Sequence, residues 1–170
     1  MDHVRVRAWI GTAVFLLLAP GVVAGLIPWL ITRWQVPWRD GWVWAVAIAA
    51  GLLILSGIAV LLDAFIRFAR ADGTPAPPLP TARLVLVGPY RHVRNPMYLA
   101  VLAIILGQAL MFASWATLVY AGVVFLAVLL FVRYYEEPTL GRLFGEPYAR
   151  YREAVPRWLP RRPGRTSRYS

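Results

Sequence analysis

Apolar residues along the chain form four long blocks rather than alternating or one-sided patterns. The blocks run from about Ala8 to Thr32, Trp42 to Phe68, Pro96 to Phe112 and Ser114 to Val132, and few charged residues interrupt them. A helix that crosses a lipid bilayer needs about 17–25 mainly apolar residues. The pattern therefore predicts four membrane-spanning helices, with the third at the short end of this range.

The first block is longer than the apolar core of a signal peptide, and no small-residue cleavage site follows it. We therefore expect it to be retained as a helix, with a kink at Pro20. The third and fourth blocks are joined by a very short connection, which predicts an antiparallel hairpin. The start of helix 3 and the end of helix 4 should then lie close together.

The composition is that of a membrane protein and excludes several other classes. The chain has 170 residues, of which 59% are hydrophobic and 15% charged, whereas soluble domains average about 45–50% apolar residues. The absence of Cys excludes a disulfide scaffold. No Cys/His cluster has the spacing of a metal site, so no metal is expected. The 38 residues after Val132 are too few for an independent soluble core.

The net charge of +10 is carried by eighteen basic residues, all of them Arg. Taken alone, this charge would suit nucleic acid, an acidic substrate or a membrane surface. The N-terminus, the connection between helices 2 and 3 and the C-terminal tail are Arg-rich, whereas the connection between helices 3 and 4 is uncharged. The positive-inside rule then places both termini and the segment 69–95 in the cytoplasm. No nucleic-acid-binding module accompanies the charge, so a nucleic-acid partner is not expected.

Together these patterns predict an all-α, polytopic integral membrane protein with about four transmembrane helices, located in a bacterial inner or plasma membrane. Residues 1–72 would form two N-terminal helices, and 73–95 a cytoplasmic Pro-rich loop that ends in a polar motif. Residues 96–135 would form the transmembrane hairpin. Residues 136–170 would form a cytoplasmic segment with a short helix.

The first polar motif covers residues 88–98, GPYRHVRNPMY. Asn95 is a favoured N-cap and Pro96 a favoured first helical residue, so helix 3 should begin at Pro96. The free N–H groups at that helix start would favour an anion. Arg91 and Arg94 add positive charge just before it.

The second polar motif covers residues 133–157 and places Glu136 and Glu137 at the end of helix 4. Carboxylates are disfavoured at the negative end of a helix dipole, so a cation should lie nearby, either Arg133 or a ligand. The hairpin brings this carboxylate pair opposite the anion-binding helix start, an arrangement that suits a zwitterionic ligand. The structural alternative is that the Arg residues anchor the helices at the membrane surface and Arg133 pairs with a solvated helix end.

Other polar residues have two interpretations each. Asp63 and Arg67, near the end of helix 2, form an i, i+4 pair that either stabilises the helix or contributes to function. Tyr148 and Tyr151 are either interfacial aromatic residues or ligand contacts.

The two motifs, in this order around a helical hairpin, resemble the isoprenylcysteine carboxyl methyltransferase and phospholipid methyltransferase superfamily of integral membrane enzymes. The resemblance covers about residues 82–160. It implies methyl transfer from S-adenosylmethionine to a lipid or lipidated acceptor that enters from the bilayer. Carboxylate O-methylation of the isoprenylcysteine type is favoured, and amine N-methylation of a phospholipid is the other reaction.

Position by position, the resemblance implies that nine residues bind the cofactor: Leu84, Val85, Tyr90, Arg94, Asn95, Pro96, Met97, Tyr98 and Glu136. Arg133 would orient an anionic acceptor. For an amine acceptor, Glu137 or Tyr135 would be the candidate base.

The chain departs from the superfamily at two positions. Asn95 stands where the superfamily usually has His, and Ala100 where it usually has Gly. These departures leave a non-catalytic membrane protein of the same fold as an alternative. A small lipid-binding or transport protein is a further alternative, although the apolar middle of helices 3 and 4 counts against a transporter.

Overall fold

The computed structural model describes Ile10, Val14 and residues 18–37, 43–70 and 86–161. These residues form helices and turns without a strand, which confirms the predicted all-α class. We number the helices in chain order as α1 Leu18–Thr32, α2 Val43–Arg70, α3 Pro96–Met111, α4 Trp115–Phe144 and α5 Glu146–Ala154. A single 3-10 turn, Gly88–Arg91, precedes α3.

Within the described ranges, two helices are long and apolar enough to cross a membrane. They are α2, over Trp44–Arg67, and α4, whereas α1 and α3 are shorter apolar helices. The 16 residues of α3 extend only about 24 Å at 1.5 Å per residue, below the bilayer's apolar thickness of about 30 Å. Among the described residues, helix length therefore supports two of the four predicted spans.

Helices α2 and α3 pack closely along antiparallel axes because two glycines lie between them. A Cβ atom on Gly57 would lie 2.8 Å from both the carbonyl oxygen of Ala100 and Cγ1 of Ile104. A Cβ atom on Gly107 would lie 2.6 Å from Cγ1 of Ile54 and 3.0 Å from the carbonyl oxygen of Ala50. Small residues of this kind let helix backbones approach closely in an apolar environment.

This close packing makes Gly107→Ala a destabilising change. Ala is the better helix former by about 1 kcal/mol, but overpacking against a neighbouring helix typically costs about 1–3 kcal/mol. We expect a net loss of stability when unfolding is followed in detergent. The matched control is Gly122→Ala on α4, where an added Cβ meets nothing within 4 Å and stability should hold or rise. Equal behaviour of the two variants would contradict the packing described above.

Helix α1 is joined to the hairpin by polar contacts from side chains to backbone carbonyls. Gln108 Nε2 donates to the Ala24 carbonyl at 2.6 Å, and the Tyr120 hydroxyl donates to the Val23 carbonyl at 2.9 Å. Both acceptors lie in a π-helical turn, Val22–Leu26, which begins two residues after Pro20 and ends two residues before Pro28. In this turn side-chain donors reach main-chain oxygens, and the kink predicted at Pro20 stays a prediction.

Helix α4 continues well beyond its predicted end at Val132. An α-helical part, Trp115–Phe131, is followed by a π turn, Val132–Glu136, and by a second α-helical part, Glu137–Phe144. Proline inside a helix removes one hydrogen bond and clashes with a preceding carbonyl. The π turn lies just before Pro138 and absorbs that mismatch, so the helix continues.

The chain then reverses at Gly145, which has a φ of +52°, into α5. Tyr148, Tyr151 and Val155 form a small buried cluster with Leu86, Leu140 and Phe144. This cluster returns the C-terminal segment to the end of the bundle where α3 begins, which we call the site end.

Candidate active site

The site end brings the two polar motifs together, as the predicted hairpin requires. The hydroxyl of Tyr98, on the first turn of α3, donates to Oε2 of Glu136 on α4 at 2.7 Å. Helix α3 begins at Pro96, as predicted. Tyr90, Arg94 and Asn95 lie immediately before this helix start, in the turn and the connection that lead to it.

The two carboxylates lie at the end of a π turn. The N–H of Glu137 donates to the carbonyl of Val132, five residues earlier, which closes the π turn that ends at Glu136. Such turns shift the angular position of the side chains that follow, and they often occur at functional sites. The adjacent carboxylates have different partners: Glu136 contacts Tyr98, and Glu137 contacts two Arg residues.

Glu137 is held by a clamp of two guanidinium groups. Arg94 Nη1 donates to Oε1 at 2.8 Å, Arg157 Nε donates to the same oxygen at 2.8 Å, and Arg157 Nη2 donates to Oε2 at 2.6 Å. The side chain of Glu137 is 8% exposed and that of Arg94 is 11% exposed. The cations beside Glu137 are thus Arg94 and Arg157, where the sequence suggested Arg133 or a ligand.

One donor of the clamp has no partner within the described part of the chain. Nε of Arg94 is buried without a hydrogen bond. Because a buried unpaired donor is costly, this group is a candidate donor to a ligand at the site.

A C-terminal strap, residues 155–161, crosses the start of α3. The N–H of Arg94 donates to the Pro156 carbonyl, and the N–H of Arg161 donates to the His92 carbonyl, each at 2.9 Å. Trp158 of the strap packs edge-on against Phe125 of α4, with 5.6 Å between ring centroids. The strap therefore joins the turn before α3 to the membrane helix α4.

The strap also changes the role of Asn95. Asn95 is the residue before the first helical residue, as predicted, but its side chain does not cap the helix. Its Nδ2 donates instead to the carbonyl of Arg157 at 3.2 Å. The prediction that the Asn95 side chain caps the helix is therefore wrong. The contact requires a donor at this position and uses the amide group of Asn.

Buried tyrosines surround the turn that leads into the site, and one of them supports it. The Tyr151 hydroxyl donates to the carbonyl of Tyr90 at 2.8 Å, and both residues are buried. Burial raises the pKa of Tyr90 well above its ordinary value, and the negative charge of Glu136 raises it further. Burial likewise raises the pKa of Tyr148. The phenols of Tyr90 and Tyr148 stay neutral at physiological pH. The buried positions of Tyr148 and Tyr151 argue against an interfacial role.

Several of the predicted site residues lie away from the contact between Tyr98 and Glu136. Arg133 and Tyr135 are exposed on α4, and the guanidinium of Arg133 lies 5.9 Å from the ring centre of Tyr134. Pro96 is buried, and Met97 packs against the apolar core. Leu84 and Val85 lie outside the described residues.

The unusual Ala100 is buried on the side of α3 that meets α2. Its carbonyl lies against Gly57 of α2. Gly57 therefore supplies the close backbone approach at the position where the superfamily's Gly is replaced by Ala.

Sequence reasoning missed Arg157 and the strap. The strap has neither helical periodicity nor alternation, and only its bracketing prolines, Pro156 and Pro160, signal an extended course. Among the described residues, no group of three or more His, Cys, Asp or Glu side chains could hold a metal ion.

Comparison with known proteins yields a family match. The family model described as phospholipid methyltransferase matches residues 44–147, more than half of the chain. The match includes α2, both candidate motifs up to Pro147 and the whole hairpin. No curated protein and no solved structure matches the chain.

Proposed function

Since the chain belongs to the phospholipid methyltransferase family, and is thereby a membrane-associated methyltransferase acting on lipids, we propose that it transfers a methyl group from S-adenosylmethionine to a lipid-borne acceptor. The hydrogen bond of 2.7 Å between Tyr98 and Glu136 carries this proposal. It lies where the two motifs meet, and it holds a carboxylate at the start of a helix whose N–H groups favour an anion.

The different partners of Glu136 and Glu137 support the proposed cofactor site. Both oxygens of Glu137 accept from guanidinium groups, so its charge is already neutralised. Glu136 accepts from the neutral phenol of Tyr98 and takes part in none of the ion pairs among the described residues. A half-buried carboxylate of this kind retains charge for a cationic or hydroxyl-bearing ligand. We therefore assign the cofactor contact to Glu136 and a structural role to Glu137.

The residues at the site end fit S-adenosylmethionine. Glu136 would accept from its ammonium or ribose hydroxyl groups, and the helix start together with the unpaired Nε of Arg94 would donate to its carboxylate. Tyr90 and Tyr98 would line the same site, in agreement with the resemblance. When bound, the cofactor supplies an electrophilic methyl group on a positively charged sulfur, and the protein supplies position and charge complementarity.

We favour a carboxylate as the methyl acceptor. An acceptor carboxylate oxygen forms the new bond to the methyl carbon, the carbon–sulfur bond breaks towards sulfur, and no proton has to leave. An amine acceptor must lose a proton to a base, and Glu137 is poorly suited because both its oxygens are occupied. Arg133, exposed on α4, would orient the anionic acceptor at the membrane surface.

We further propose that the site end lies on the cytoplasmic face of a bacterial inner or plasma membrane. Arg67, Arg70, Arg91 and Arg94 all lie at this end, and the positive-inside rule assigns such an end to the cytoplasm. Trp44 and Trp115 lie exposed at the starts of α2 and α4, at the opposite end of the bundle. They fit the aromatic belt of the other membrane face.

The test is a calorimetric titration of detergent-purified protein with S-adenosylmethionine, followed by incubation with methyl-labelled cofactor and membrane lipids or a prenylated cysteine peptide. We expect saturable heat and label in the lipid-soluble fraction. Base treatment releases label as methanol from a methyl ester but not from a methylated amine, which separates the two acceptor classes. Absence of both binding heat and transferred label would overturn the proposed function.

A further inference from the structure

Near the site end of α2, Asp63 and Arg67 form an ion pair whose role the proposed function leaves open. Arg67 Nε donates to Asp63 Oδ2 at 2.8 Å. The Arg67 side chain is 33% exposed and that of Asp63 is 40% exposed. An i, i+4 pair on a helix surface normally contributes only about 0.3–0.5 kcal/mol, so helix stabilisation alone gives the pair a minor role.

This pair makes a tertiary contact that an ordinary surface pair lacks. The guanidinium of Arg67 lies against Gly88, where an added Cβ atom would overlap Nε and Cζ of Arg67. Gly88 also has a φ of +63°, a conformation that favours glycine. The backbone conformation thus favours glycine at this position, and a side chain there would have to displace the Arg67 guanidinium.

Gly88 begins the 3-10 turn that carries Tyr90. The N–H groups of His92 and Val93 close this turn on the carbonyl of Pro89 at 3.0 and 3.2 Å. The turn is supported on its other side by the Tyr151 hydroxyl, which donates to the Tyr90 carbonyl. One end of the turn is thus held by α5 and the other lies beneath a guanidinium that Asp63 orients.

We propose that Asp63 and Arg67 form a latch that fixes the Gly88–Arg91 turn and thereby positions Tyr90 for the cofactor. Arg67 acts through the turn as a positioning residue, and Asp63 acts by orienting Arg67. The functional part of the inference rests on the proposed function. The mechanical part, that the latch holds the turn, stands independently of any ligand.

The chain offers a matched control for the latch. Arg150 Nε donates to Glu146 Oε1 at 3.0 Å on α5, with the same i, i+4 spacing, but the two side chains are 68% and 69% exposed. Arg150→Ala removes an equivalent ion pair within one helix, outside both the latch and the proposed site. A difference between the effects of Arg67→Ala and Arg150→Ala therefore measures the tertiary contact with Gly88 rather than the loss of an ion pair within a helix.

The first experiment measures hydrogen exchange in peptides that cover residues 86–95 of the full-length protein. For Arg67→Ala and Asp63→Asn we expect the amides of His92 and Val93 to exchange about tenfold faster, which corresponds to about 1.4 kcal/mol of local opening. Arg150→Ala should match the wild type. Unchanged exchange in Arg67→Ala would overturn the latch, whatever the protein's activity.

The second experiment compares cofactor affinity with turnover. Arg67→Ala should raise the Kd and KM for S-adenosylmethionine about tenfold with kcat largely retained, and Arg67→Lys should rescue only part of this loss because it lacks the Nε donor. Gly88→Ala should weaken binding less in the Asp63→Asn background, where Arg67 can move aside. An equal loss in both backgrounds would count against the contact. If the wild type binds no S-adenosylmethionine, the proposed function fails while the exchange experiment still decides the latch.

Discussion

Replacement of Glu137 by Gln is expected to destabilise the protein by about 3–5 kcal/mol, because removing one partner of a buried ion pair leaves an uncompensated charge. Here two guanidinium groups lose their common counter-charge. Arg94 and Arg157 both donate to Oε1 of Glu137, so they would also repel one another across a carboxamide. The measurement is denaturant unfolding in detergent, followed by circular dichroism.

Two controls separate the clamp from general effects of charge removal. Glu146→Gln removes an exposed carboxylate from an ion pair and should cost no more than about 1 kcal/mol. Adding Arg94→Met to Glu137→Gln should recover part of the lost stability, since one buried charge is removed together with its partner. If Glu137→Gln and Glu146→Gln unfold alike, the clamp contributes nothing and the structural assignment of Glu137 is wrong.

Replacement of the neighbouring Glu136 by Ala should instead weaken cofactor binding and methyl transfer strongly while leaving the fold intact. A hydrogen bond to a charged group contributes about 1.5–3 kcal/mol, which corresponds to about 10–100-fold weaker binding of S-adenosylmethionine at 1.4 kcal/mol per tenfold change. The loss in methyl transfer should be at least as large. Calorimetric titration and transfer of labelled methyl groups measure the two effects separately.

The conservative variants refine this prediction. Tyr98→Phe leaves the carboxylate in place and removes only a neutral donor, so its effect should be smaller than that of Glu136→Ala. Glu153→Ala, on the exposed surface of α5, serves as the control and should behave like the wild type. If Glu136→Ala binds S-adenosylmethionine with full affinity, the protein is still a methyltransferase of this family, but the proposed cofactor site is wrong.

The adjacent carboxylates thus provide an internal comparison. Glu137→Gln should lower stability, and Glu136→Ala should lower cofactor affinity at nearly normal stability. The two roles are separated by direction, because consecutive side chains on a helix point to different partners. The reverse result, with Glu136 stabilising the fold and Glu137 binding the cofactor, would exchange the two assignments.

The strap extends this reasoning to the C-terminal segment. Arg157 closes the clamp, and the carbonyl groups of Pro156 and Arg157 accept from Arg94 and Asn95. Residues beyond the hairpin are therefore part of the site's framework. The same contacts explain how Asn fits where the superfamily usually has His, since its amide donates to a carbonyl of the strap.

Much of the fold could be predicted because helix formation in an apolar chain is a local property. The start of α3 at Pro96 follows from the restricted backbone of proline, and its end at Met111 lies one residue from the predicted Phe112. The short connection at residues 112–114 makes α3 and α4 antiparallel neighbours. This topology places Tyr98 near Glu136, so the central contact of the site was accessible from sequence.

Sequence by itself thus determined the helices, the hairpin and the meeting of the two motifs, because apolar length, proline and a short loop act over neighbouring residues. Only the tertiary structure decided which cation meets which carboxylate, that α4 continues past Val132, and that Asn95 bonds to the strap rather than capping its helix. The pairing of Glu137 with its cations and the bond of Asn95 to the strap depend on groups 20 to 62 residues apart in the chain, whereas α4 continues through the π turn that precedes Pro138. Electrostatic pairing and hydrogen bonding at such separations depend on the packed arrangement, in which Arg157 rather than the nearer Arg133 reaches Glu137.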